Sequence, residues 1–259
     1  MFRFNKRLSA FDSIKHSGKE LLDRPLSFNF FRAPVDNDVM KNDWYAAHLN
    51  ELTPRNYGVT VDSTPISAEI KLRQSMSWGV HQPAAYMDVT YRISGGALDI
   101  ECSAEFSNKV EMLPRFGIRA FLPRRFSQVE YYGYESYADK HQASWVGKFT
   151  ADVSELHEDY IRPQENSSHW GCAYVELTDG ETALRFASDP GFSFNASEYT
   201  QEELAAKRHN FELEKCDDTV LCIDYKQNGI GQNSCGPLTQ EEYRFDESEF
   251  EFKIRIEIK

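Results

Sequence analysis

The chain has 259 residues, 41% hydrophobic, 27% charged and 14% aromatic, a balance that gives a globular protein enough material to bury a core without disulfide or metal staples. Its 29 basic and 41 acidic residues leave a net charge of −12, which argues against nucleic acid or an anionic membrane as partner, since both need a basic face. No run approaches the roughly 20 apolar residues of a membrane span, and Met1 to Leu8 lacks the apolar stretch of a signal peptide.

In chain order, Asp43 to Leu49 is a weak candidate for a short helix. Tyr86 to Ile93 alternates apolar and polar residues, turns at Ser94-Gly95-Gly96, and alternates again over Ala97 to Phe106, the pattern of a β-hairpin. Phe116 to Phe121, Ala173 to Leu177, Ala183 to Ala187 and Val220 to Tyr225 read as further strands. Between the last two, Ser197 to Ala206 fits one short helix, with Thr200 as N-cap and acids in its first turn. Phe250 to Ile258 has unbroken period-2 alternation, which predicts a strand with one buried face. Short strands at 8–15-residue spacing with turn signals between them predict an all-β fold, a large antiparallel β-sandwich with one or two short helices. No repeat, linker or low-complexity segment divides the chain, so residues 1–259 are expected to form one domain.

Forty-one acids invite a glycosidase reading, because sugar hydrolysis commonly uses two carboxylates, but that number makes chance pairs certain. Asp36-Asn37-Asp38 offers hard oxygen ligands of the kind calcium takes, yet lacks the glycine and downstream glutamate of an EF-hand loop. A turn capped by its own Asx side chains is the favoured reading, and no metal site is expected. The seven histidines show no metal-ligand spacing. His209, after the predicted helix and at what reads as a strand entry, is the most site-like, although a hydrogen-bonded structural role suits it better than a catalytic one. The five cysteines, 102, 172, 216, 222 and 235, include no CxxC pair and read as reduced thiols of a cytoplasmic protein, or of one exported by a route the sequence does not display. Cys235 lies in a loop shaped by Gly229, Gly231, Gly236 and Pro237, with no histidine or helix start beside it to activate the thiol. Arg162-Pro163-Gln164-Glu165-Asn166 and Tyr131-Tyr132-Gly133-Tyr134-Glu135-Ser136-Tyr137 mix amides, acids and phenol rings. Such runs suit sugar hydroxyls and equally suit a buried hydrogen-bond network that orders a sandwich edge.

Taken in order, Phe30-Phe31-Arg32-Ala33-Pro34-Val35-Asp36-Asn37-Asp38, Tyr131-Tyr132-Gly133-Tyr134, Glu135-Ser136-Tyr137-Ala138-Asp139-Lys140, Tyr160-Ile161-Arg162-Pro163-Gln164-Glu165-Asn166 and Gly229-Ile230-Gly231-Gln232-Asn233-Ser234-Cys235-Gly236-Pro237 resemble one family. It is the C-terminal small-chain region of the large β-galactosidases of glycoside hydrolase family 2, and the resemblance covers essentially the whole chain. The resemblance implies a galactose-mutarotase-like supersandwich that follows a catalytic TIM barrel and an immunoglobulin-like domain. Both catalytic glutamates then belong to the barrel, and none of the catalytic residues to this chain. The domain would supply loops to the active-site rim, bind a lactose-like β-galactoside there, and take part in a homo-oligomeric assembly. Cofactors would be absent from this chain, the Mg and the Na or K of the full enzyme lying in other domains. The resemblance assigns Asn233, Ser234, Cys235 and Gly236 to the substrate rim, and Asp36, Asn37, Asp38, Val39, Met40 and Lys41 to a mobile loop. Cys235 stands where the best-known member has tryptophan, and a thiol lacks the stacking face of an indole. The segment after Asp38 is shorter than in that member, and Tyr134-Glu135 replaces a usual Gly-Pro and one further residue. Arg32, Glu135, Gln164, Glu165, Asn166 and His209 form a candidate polar network. The start at Met1, without an immunoglobulin-like segment, favours an expressed fragment over a natural small subunit.

Two other readings compete. A stand-alone mutarotase-like sugar epimerase would need a general acid and base, for which His209 with Glu165 or Glu135 could serve. A carbohydrate-binding module would need exposed tryptophans in a row, drawn from Trp44, Trp78, Trp145 and Trp170, although burial is the commoner fate of tryptophan.

Overall fold

The computed structural model describes residues 1–107, 110–134, 145–229 and 238–259. Among these residues the strands are β1 (Phe2–Asn5), β2 (Ala10–His16), β3 (Lys19–Glu20), β4 (Arg24–Asn29), β5 (Thr53–Ser63), β6 (Ser67–Ser77), β7 (Ala85–Ser94), β8 (Ala97–Phe106), β9 (Arg115–Pro123), β10 (Gln128–Tyr134), β11 (Val146–Asp152), β12 (His169–Thr178), β13 (Ala183–Ser197), β14 (Asp218–Gln227) and β15 (Glu249–Ile258). Two short helices interrupt them, α1 (Lys41–Ala46) and α2 (Gln201–Ala206).

β1 to β3 form a small antiparallel sheet, and the other twelve strands form one large antiparallel sheet. The main path of the large sheet runs β11-β10-β12-β13-β15-β8-β7-β6-β5, with β14, β9 and β4 branching from β13. The branch point makes the sandwich. Ala187 and the residues before it pair with β15, whereas Ser193 to Ser197 pair with β14. Between the two halves lie Pro190 and Gly191, the latter at φ +125° and so close to the Cys172 carbonyl that a Cβ would sit 3.3 Å away. A strand bent at that point passes from one layer to the other. The branch then folds back onto the main path, with Phe116 of β9 and Tyr225 of β14 placing their rings 4.7 and 5.0 Å from Phe250 of β15. The expected antiparallel sandwich is therefore present, built from one branched, curled sheet. On the same face of the main path, Phe4 of β1 and Phe11 of β2 pack on Tyr91 of β7 at 5.6 and 5.2 Å, which docks the small sheet.

The predicted hairpin is β7–β8, with Ser94 opposite Ala97. β15 buries Phe250, Phe252, Ile254 and Ile256 and exposes Glu251, Lys253 and Arg255, as its alternation requires. α2 starts at Thr200, whose hydroxyl accepts from the Glu203 amide at 3.1 Å. β4, β9 and β14 bring strand ends to one edge, where Arg115 is opposite Gln227 and Gly117 is opposite Asn29. That edge carries the site.

Candidate functional site

The first part of the site is the segment that leaves β4. Arg32 is fully buried, and a buried guanidinium has to find acceptors. Its Nη2 donates to Asp38 Oδ1 at 2.8 Å and its Nε to the Pro114 carbonyl at 3.3 Å, and the cation lies 5.3 Å from the Trp44 ring. Asp38 Oδ2 accepts from the Val35 amide at 2.7 Å while the Asp38 amide donates back to the Val35 carbonyl at 3.0 Å. Asp38 is thus the structural turn residue that the sequence favoured, its carboxylate taken up by one cation and one backbone amide. Trp44, the buried residue of α1, fixes the next turn by donating Nε1–H to the Met112 carbonyl at 2.8 Å.

A second buried cation lies beside the first. Arg115, at the head of β9, donates Nη2–H to Glu165 at 2.8 Å and places Nε 3.1 Å from Asp224 of β14. Both acids are buried. Burial works against the Arg115 charge, but Asp224 and Glu165 outweigh it and hold the guanidinium protonated. Burial pushes the Asp224 carboxyl up to about 6, against the pull of Arg115 and a hydrogen bond from Gln227. Gln227 Nε2 reaches both Asp224 Oδ2 and Ser168 Oγ at 2.9 Å. Backbone bonds join the two clusters. The Glu165 amide donates to the Ala33 carbonyl at 3.2 Å, the Asp36 amide donates to Gln164 Oε1 at 3.1 Å, and the Pro114 carbonyl receives Asn228 N–H at 3.1 Å as well as Arg32.

Of the candidate network, Arg32, Gln164, Glu165 and Asn166 come together. Asn166 Oδ1 accepts from the Glu158 amide at 3.0 Å and its carbonyl accepts from Asn195 at 2.6 Å, which ties the 160s segment to β13. His209 does not join them. It precedes a 3-10 turn over Asn210–Glu212 instead of entering a strand, and its half-exposed ring faces Glu212 at 3.5 Å and stacks on Phe211. A ring held by its own turn is not positioned as the partner of a Glu165 carboxylate engaged by Arg115, so the His209–Glu165 pair is not assembled. Glu135 lies outside the described residues, as do Asn233, Ser234, Cys235 and Gly236. Of the expected mobile segment, Val39 and Met40 lie in a turn, but Lys41 opens α1, with Met40 as its N-cap. Only one of the four tryptophans is exposed. Trp44 is buried, Trp78 stacks on His48 at 3.5 Å, Trp170 stacks on Tyr134 at 4.0 Å, and Trp145 is 62% exposed. Cys172 and Cys222 are free thiols, each pushed up to about 12 by burial.

Arg115, Asp224, Gln227 and Ser168 were not singled out from the sequence. A signal existed for Asp224, a charge directly after the apolar run Val220-Leu221-Cys222-Ile223, where the strand is buried on both faces.

Comparison with known proteins defines the class first. A galactose mutarotase-like protein from Lactobacillus casei superposes with a TM-score of 0.50 over 100% of this chain and 96% of that one, at 8% identity, a likeness of fold alone. The family described as Beta galactosidase small chain matches residues 1–256, and this chain belongs to it. It is 39% identical to a β-galactosidase from Actinobacillus pleuropneumoniae over 99% of its length, and 35% identical to one from Staphylococcus xylosus over 98%. In both cases it spans 26% of the relative's length, about a quarter of each protein. Among the described residues, no helix is long and apolar enough to cross a membrane.

Proposed function

We propose that this chain is the C-terminal domain of a β-galactosidase, an enzyme that hydrolyses terminal non-reducing β-D-galactose residues, and that it completes the rim of an active site whose catalytic glutamates lie in an upstream TIM barrel. The observation that carries this reading is coverage: the chain matches its relatives from end to end yet accounts for only 26% of their length. The chemistry of the edge agrees. A general acid or nucleophile must keep a carboxyl free for the reacting bond, but Asp38, Glu165 and Asp224 are spent on Arg32 and Arg115.

In this reading the buried cations are positioning devices. Arg32 and Asp38 fix where the 36–41 segment leaves the sheet, and Arg115 with Glu165 and Asp224 fixes the 160s segment and the end of β14. The stretch containing Asn233, Ser234, Cys235 and Gly236 follows β14 and would meet the aglycone side of a lactose-like substrate. Closure of the 36–41 segment on substrate, assembly into a homo-oligomer, a cytoplasmic setting, and placement of Mg and of Na or K outside this chain belong to the same proposal.

The test is complementation. The purified chain should leave a chromogenic β-galactoside uncleaved, and mixing it with the separately produced remainder of the parent protein should restore turnover. Hydrolysis by the chain alone would overturn the reading.

A further inference from the structure

Between the small sheet and the large one lies a cavity of about 210 Å³, whose lining includes neither Arg32 nor Arg115. Its floor is Met76, Tyr91, Ile100 and Ile118, all buried, and its mouth is rimmed by Leu8, Pro25, Ser27 and Pro54, all exposed. One residue breaks the apolar lining. On β6 the inward positions run Ile70, Leu72, Gln74 and Met76, so an amide occupies a place where the alternation calls for an aliphatic side chain. Gln74 is 2% exposed, lines the cavity, and its side-chain oxygen has no hydrogen-bond partner. A buried amide oxygen left unpaired is unfavourable, and a ligand that supplies the missing bond recovers the loss.

The size and lining narrow the ligand. An apolar protein cavity of about 150 Å³ accommodates one benzene ring, so the space here takes a single aromatic ring with a small substituent. A hydroxyl both donates and accepts, so it satisfies the amide whichever of its atoms faces inward, and the soft terminal torsion of glutamine lets the oxygen turn toward the cavity. We propose that this cavity is a binding site for a small aromatic alcohol, with the ring among Met76, Ile100 and Ile118 and the hydroxyl on the Gln74 amide. The proposal is independent of the β-galactosidase reading, since it uses none of the residues assigned to the rim.

Calorimetric titration of the chain with phenol and with toluene tests it, because the two differ by the hydroxyl. Phenol should bind with one site per chain and more tightly than toluene, and Gln74→Leu should weaken phenol about fivefold while leaving toluene unchanged or tighter. Ser27→Trp, which plugs the mouth from an exposed position and spares the core, should abolish binding of both. In crystals soaked with 4-iodophenol, the iodine should appear between Met76 and Ile118. Equal affinity for phenol and toluene, phenol binding that survives Ser27→Trp, or no saturable binding of either up to its solubility would overturn the proposal.

Discussion

Asp224 is a charge placed where an isolated carboxylate would be untenable, fully buried on a strand buried on both faces. Arg115 makes it tolerable without making it comfortable, because burial is the largest influence on its ionisation and lifts it from 3.8 to about 6. The sign of the consequence follows. Between roughly pH 4 and pH 6 the folded chain holds a proton on Asp224 that the unfolded chain has released, so this residue's contribution to stability is full below pH 4 and is lost as pH rises through 6. Asp224→Asn removes the titration and keeps the shape. Urea unfolding of both proteins across that range should find the wild type gaining on the variant as pH falls, by on the order of 2 kcal/mol, and the difference should level off above pH 7. Parallel stability profiles would mean that Arg115 holds Asp224 ionised throughout.

Gly95 and Gly96 join β7 to β8 with φ of +57° and +82°, both in the left-handed region, the signature of a type I′ turn whose twist matches that of the strands. No neighbouring atom lies within 4 Å of a Cβ built on either glycine, so substitution here measures backbone strain and nothing else. Gly95→Asn should change stability by less than about 0.5 kcal/mol, because asparagine tolerates this region, whereas Gly96→Val should cost about 1–2 kcal/mol in a urea melt. An equal cost for both would mean that the turn relaxes to another type. This hairpin was legible in the sequence because a turn and its flanking alternation are local. The same holds for Thr200 capping α2 and for β15. β5 was not legible. It contains Pro54 and Gly58, runs along the edge of the sheet, and is exposed on both faces, so nothing in its residues alternates. The site divides in the same way. The turn at Asp38 is local and could be read, whereas the Arg115–Glu165–Asp224 cluster joins residues far apart in the chain, and only the fold puts them together. His209 misled for the same reason: proximity in sequence to a helix end says nothing of which carboxylate its ring meets.

At the scale of the whole molecule, the last strand is central. β15 lies between β13 and β8, so it joins β11-β10-β12-β13 to β8-β7-β6-β5, and its ladder to β8 runs unbroken from Glu249↔Glu105 to Glu257↔Ala97. Its four buried side chains, Phe250, Phe252, Ile254 and Ile256, contribute about 1.5–3 kcal/mol each, a sum comparable with the roughly 5–15 kcal/mol that holds a domain folded. Without it no ladder joins the two halves among the described residues, because the branch β14-β9-β4 pairs with β13 alone, and Phe116 and Tyr225 lose the ring of Phe250. β1, by contrast, is an outer strand of the small sheet, and its residues are only partly buried. Deleting Glu249 to Lys259 should therefore abolish the cooperative urea transition and the near-ultraviolet circular dichroism signal, with dye binding to newly exposed apolar surface. Deleting Met1 to Asn5 should lower the midpoint and keep the transition cooperative. The contrast separates topology from mere loss of contacts, because both deletions remove aromatic packing but only one cuts the sheet in two. A cooperative transition in the C-terminal deletion would mean that side-chain packing of the branch and the small sheet integrates the fold without a ladder between the halves.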